Sequence, residues 1–144
     1  MKNTFIQSNS SIITHHRGDT LYTPIFINMG SYTRPVRYSL QPGDVLYFGL
    51  MEPNTFFEYS ILKKHFDCMS PKNVMGDTLL ILDPKDTEFL IPGTYYYEVK
   101  LQQHDEFGRE YVSTIIPKTL FYIVWYCIFL MKNTIFKGDK KWLT

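Results

Sequence analysis

The sequence predicts an all-β domain, an antiparallel sandwich of about seven strands, and three observations carry that expectation. Aromatic residues make up 17% of the 144 positions, with eleven tyrosines and eleven phenylalanines, which suits pleated strands better than helices. Short apolar or alternating runs recur between Gly, Pro, Asn and Asp turn signals. No long stretch carries apolar residues at helical spacing. A chain of 144 residues accommodates one domain with a real core. That domain is expected over residues 1–124, followed by an apolar and then basic C-terminal segment, 125–144, that is not a domain of its own.

The elements follow in order. "SIITHHRGDTLYTPIFINM" reads as two strands, at about 10–16 and 21–29, around a tight turn in which Gly18 is free to take positive φ and Asp19 can form an Asx turn. "QPGD", at 41–44, is a second turn. It launches "VLYFGLM", which is apolar on both faces as a strand inside a sandwich should be, with Gly49 as a candidate bulge. "FFEYSILKKHF" ends in charge and reads as an edge strand leading into the loop "DCMSPKNVMGD". "TLLIL" is a short buried strand.

"DPKDTEFLIPG" is too punctuated for a full helix, yet Asp83 can cap a single turn running through Lys85 and Phe89 that carries the chain across the sandwich. In "GTYYYEVKLQ" the residues Tyr95, Tyr97, Val99 and Leu101 fall on one face and Tyr96, Glu98 and Lys100 on the other. The polar hairpin "QHDEFGRE", with Gly108 at its tip, leads to the final strand "YVSTIIPKTLFYIV". Pro117 inside that strand marks a sheet edge or a bulge. This succession of short strands and turns is the pattern of an immunoglobulin-like sandwich. Cys68 and Cys127 do not fall on the second and sixth strands, so packing rather than an inter-sheet disulfide must hold the core.

The order "RGDT", an apolar strand, "GDTLLILDPKDTEFLIPGTYYYEVKL", a hairpin and "STIIPKTLFYIV" resembles the immunoglobulin-like domain of tail and baseplate upper proteins of phages and prophages of Gram-positive bacteria. Arg17 to Thr20, then Asp86, Thr87, Leu90, Pro92 to Tyr97 and Val99, then Thr114 to Ile123 carry the likeness, which spans roughly residues 12–123. The segment "YSLQPGDVLYFGL" departs from that family's third-strand entry. The resemblance implies a structural module that docks into or spaces a tail-tip assembly, its partners being other tail or baseplate proteins or copies of itself. The residue pattern is compatible with the same bend: Tyr95 or Tyr97 can bury its ring and bond backbone upstream as a tyrosine corner, with Asp86 and Thr87 as local partners.

Function classes narrow from here. A formal net charge of +1 gives no bulk attraction to nucleic acid or anionic membrane. His15 and His16 are strand neighbours pointing to opposite faces, and His65 and His104 lie far away, so no metal site and no cofactor is expected. The sequence contains no GxSxG, HExxH or phosphate loop, and no catalytic residue is proposed. "RGD" at 17–19 is explained by turn chemistry rather than adhesion.

Carbohydrate binding is the alternative. Tyr96 points outward, and Tyr32, Tyr38, Phe107 and Tyr111 sit near loops or strand ends where rings could stack on sugars. From Leu120 to Met131 twelve apolar residues run unbroken, short of the roughly 20 of a spanning helix. Exposed, the part from Trp125 onward would be an aggregation hazard, so it is expected to bury against the sandwich or a second copy, with Trp125, Tyr126, Phe129 and Tyr96 as interaction residues. The N-terminus lacks the apolar stretch of a secretory signal, which suggests synthesis in a bacterial cytoplasm and residence in a virion tail once assembled.

Overall fold

The computed structural model describes residues 5–6, 11–31 and 33–125. In chain order its elements are β1 (Phe5–Ile6), β2 (Ile13–His16), β3 (Leu21–Ile25), β4 (Ile27–Ser31), β5 (Arg34–Tyr38), β6 (Val45–Met51), a 3₁₀ turn (Phe57–Tyr59), β7 (Leu62–Phe66), β8 (Thr78–Leu82), the single-turn helix α1 (Pro84–Thr87), β9 (Gly93–His104) and β10 (Glu110–Val124). The fold is an all-β sandwich. A five-stranded sheet in the order β2-β10-β9-β6-β7 is accompanied by a two-stranded ladder β3-β8 and a three-stranded sheet β1-β4-β5. These ladders are antiparallel except that of β2 with β10, which is parallel.

The core lies between the inner face of the large sheet and strands β3, β4 and β8. Strand β9 sets its geometry, because strict alternation buries Tyr95, Tyr97, Val99 and Leu101 and leaves Tyr96, Glu98 and Lys100 on the outer face. The Tyr97 ring stacks on Phe48 of β6 at 5.9 Å between centroids and meets Phe121 of β10 edge-on at 6.0 Å. Those rings come from three adjacent strands, and burying each contributes about 1.5–3 kcal/mol.

Strand β10 carries two register shifts, between Thr114 and Ile116 and between Ile116 and Thr119. Pro117 lies in the second, where it has no ladder bond to donate. The first shift lets the consecutive residues Ile115 and Ile116 both face the core, at 0% and 1% exposure.

Several elements differ from the sequence reading. The run expected as one strand over 21–29 is two: Ile25 pairs with Thr78 of β8, and Ile27 pairs with Tyr38 of β5. Both isoleucines are buried, so the chain stays extended through Phe26 while it changes hydrogen-bonding partner. The first expected strand is shorter, Ile13–His16. "FFEYSILKKHF" begins with the 3₁₀ turn, and only Leu62–Phe66 forms the edge strand. Strand β5 had no signal, because "RPVRY" is polar, contains Pro35 and exposes four of its five residues.

Gly49 is not at a bulge, since Phe48, Gly49 and Leu50 pair in unbroken register with β7 and β9. Its hydrogen makes room for the 3₁₀ turn to lie across the sheet. A Cβ there would stand 2.4 Å from Ser60 Oγ and 2.7 Å from Phe57 Cε1.

Candidate functional site

Two ends of β9 hold the polar groups that local propensity does not explain. At its N-terminal end the chain bends through α1, where Asp86 takes the Asp83 backbone N–H at 2.7 Å and the Lys64 ammonium at 2.8 Å. Pro84 opens the helix, which stops at Thr87, short of the expected Phe89. Thr87 is fully buried, and its Oγ1 accepts the Gly18 N–H at 2.9 Å. Gly18 itself sits at φ +82° in the "RGDT" turn, closed by the Asp19 N–H on the His16 carbonyl at 3.1 Å.

Tyr95 donates its hydroxyl to the Ile91 carbonyl at 2.5 Å, and Tyr97 donates to the Ser11 carbonyl at 2.6 Å. The tyrosines thus bond backbone at Ile91 and Ser11, while Asp86 and Thr87 organise the bend through Asp83, Lys64 and Gly18. Burial pushes the phenols of both tyrosines up, that of Tyr97 to about 12.

The other expected residues are dispersed. Tyr96 faces outward, with the Lys118 ammonium 5.4 Å above its ring. Trp125 is about half exposed and lies under the Arg17 guanidinium at 4.5 Å. Tyr126 and Phe129, and Tyr32 among the candidate sugar-binding rings, lie outside the described residues. His15 points inward and is buried, its ring edge-on to Phe121 at 6.2 Å, and its Nε2 has no hydrogen-bond partner among the described residues. No group of three or more metal-binding side chains occurs among the described residues, and no helix there is long and apolar enough to cross a membrane.

The C-terminal end of β9 forms a cleft of about 760 Å³ between the 41–44 turn and the β9–β10 hairpin. The turn closes with the Asp44 N–H on the Gln41 carbonyl at 2.9 Å, and Gly43 supplies the positive φ. The hairpin closes with the Gly108 N–H on the Asp105 carbonyl at 2.9 Å. The Asp105 carboxylate caps that loop by accepting the Arg109 N–H at 2.9 Å, the Phe107 N–H at 2.8 Å and the Arg109 Nε–H at 3.2 Å. These donors, the Arg109 backbone first, hold its carboxyl below the ordinary carboxylate value.

The floor is a buried polar chain. Asp44, 6% exposed, accepts a short hydrogen bond from the Tyr38 hydroxyl and the Gln41 N–H at 2.9 Å. Gln103, also 6% exposed, donates its Nε2 to the Tyr38 oxygen at 3.1 Å. Burial, and then the Asp44 bond, push the Tyr38 phenol well above its ordinary value, so it remains a donor to Asp44. The walls carry Phe107, 74% exposed with the Arg109 guanidinium 5.6 Å from its ring, and Tyr111.

Sequence reasoning missed Asp44 and Gln103 as members of one site. In the sequence the first is a turn residue of "QPGD" and the second falls in the polar hairpin segment "QHDEFGRE". The available signal was that the 41–44 turn and the hairpin tip both punctuate neighbouring antiparallel strands. A scan against protein-family models and searches of curated proteins and of solved structures return no significant match.

Proposed function

We propose that the chain is a non-catalytic structural and interaction module, an immunoglobulin-like sandwich of the kind that docks into or spaces phage tail and baseplate assemblies, and that it assembles with copies of itself. The observation that supports this reading is the Gly18–Thr87 hydrogen bond. It joins the "RGDT" turn to the "DT" of the bend, two separate segments of the quoted resemblance, across 69 residues of chain. The half-exposed Trp125 and the exposed Phe89 and Ile91 of the bend offer the apolar contacts that such docking uses.

The test is the solution mass of the full chain by light scattering after size exclusion, alongside a Trp125→Ser variant. A defined oligomer whose mass falls in the variant is expected. A full chain that stays monomeric up to its solubility limit overturns self-assembly.

One observation favours a second reading, a carbohydrate-binding module. Three of the rings singled out for sugar stacking, Tyr38, Phe107 and Tyr111, converge on a single cleft.

A further inference from the structure

We infer that the cleft at the C-terminal end of β9 is a binding site for a neutral saccharide, whose hydroxyl satisfies Gln103 Oε1, directly or through one water, while its ring lies against Phe107. The inference rests on the saccharide reading and gives it a location, a polarity and a charge preference.

The hydrogen-bond arithmetic of the floor comes first. Tyr38 has one hydroxyl proton and spends it on Asp44. Its oxygen can then only accept, which fixes Gln103 with its NH₂ toward Tyr38 and its carbonyl away. That carbonyl oxygen, Oε1, is buried and has no hydrogen-bond partner among the described residues. An unmet buried acceptor is costly, and the Gln103 side chain lines the cleft, so a small rotation that brings Oε1 to a donor there recovers that cost. Saccharides are dense in hydroxyl donors.

Size and charge narrow the ligand. A volume of about 760 Å³ suits a small-molecule ligand of roughly one to two sugar rings. Asp44, Asp105 and Glu110 line the cleft beside the Arg109 guanidinium, which already bonds Asp105, and the His104 imidazole, which stands 3.7 Å from Glu110. An anionic sugar would meet net negative charge, so uronates, sialic acids and sugar phosphates are disfavoured. The exposed face of Phe107 provides the apolar surface against which the C–H face of a pyranose packs.

The experiment is an amide NMR titration of the full chain with neutral methyl glycosides of glucose, galactose, rhamnose and N-acetylglucosamine, and with methyl glucuronide as the anionic control. The expected result is saturable shifts of the Gln103 side-chain amide and of the Phe107 and Gly108 backbone amides, with affinity on the order of millimolar. Phe107→Ser, at an exposed position that does not threaten folding, should weaken binding by about tenfold. Gln103→Leu should abolish it. If that variant unfolds, the Phe107 variant alone decides. Shifts that saturate around Tyr96 or Trp125 and leave the cleft untouched would overturn this site and retain the saccharide reading. The absence of saturable shifts with every glycoside would overturn both. Tighter binding of the glucuronide than of the neutral glycosides would overturn the charge preference that defines the proposed ligand.

Discussion

The backbone N–H of Gly18 donates to Oγ1 of Thr87 at 2.9 Å, tying the first turn of the sandwich to the helix that crosses it. Because Thr87 is fully buried, water cannot replace that acceptor. Thr87→Val keeps the shape and removes the oxygen, and is expected to lower unfolding free energy by about 1–3 kcal/mol, whereas Thr87→Ser should retain most of the stability. Urea unfolding of the two variants against the parent measures the difference, and equal loss in both would assign the effect to packing instead.

Gly49→Ala is expected to cost about 1–3 kcal/mol although its backbone is ordinary strand. The added carbon would meet Ser60 Oγ at 2.4 Å, and Ser60 cannot simply rotate away, since its hydroxyl donates to the Phe57 carbonyl at 2.6 Å. The Phe57 ring blocks the same space. Adding Phe57→Ala should therefore make the alanine at 49 less costly than it is alone, and a double-mutant cycle on thermal unfolding reads that coupling.

Acid should weaken the fold through His15. Burial lowers its pKa below the ordinary 6.5, opposed by the Asp19 backbone bond and charge. The unfolded chain then binds the proton more readily than the folded one. Stability is fully present above about pH 6.5 and falls as pH drops toward the lowered folded value. His15→Phe should flatten that part of the profile, measured as the denaturant midpoint against pH. An unchanged slope would place the acid sensitivity elsewhere.

The alkaline limit has the opposite sign. Tyr97 is pushed up to about 12, so its neutral phenol is favoured by the fold, and the stability it contributes is lost as pH rises from the ordinary 10 through that value. Tyr97→Phe should remove the Ser11 contact at a cost of about 0.5–1.5 kcal/mol at neutral pH and lessen the alkaline dependence. Tyrosinate absorbance followed beside circular dichroism distinguishes titration in place from titration on unfolding.

Much of the sandwich is legible in the sequence where one face of a strand is buried. The alternation from Tyr95 to Leu101 and the solid run of β8 register in hydropathy because each strand has to present apolar residues to the core. The exchange of partners at Phe26 leaves no such trace, since Ile25 and Ile27 share a face whichever strand they bond. Strand β5 is held by backbone bonds to β4 and carries almost no buried side chain to announce it. The cleft is the hardest part to read. Tyr38, Asp44 and Gln103 come from three separate segments, and it is their joint burial, rather than any spacing, that turns a tyrosine, a turn aspartate and a hairpin glutamine into one chain of hydrogen bonds.

The two register shifts of β10 each insert one residue relative to β9, and the two together restore the side-chain parity that either alone would reverse. Odd-numbered side chains face inward at Tyr111 and Ser113, and odd-numbered ones do so again at Phe121 and Ile123. A one-residue deletion between Thr114 and Thr119 would therefore turn one half of the strand inside out, while loss of two residues would keep the parity of both halves. Length variation in this strand is thus tolerable only in even steps, with the aromatic core and the distant cleft held to one count.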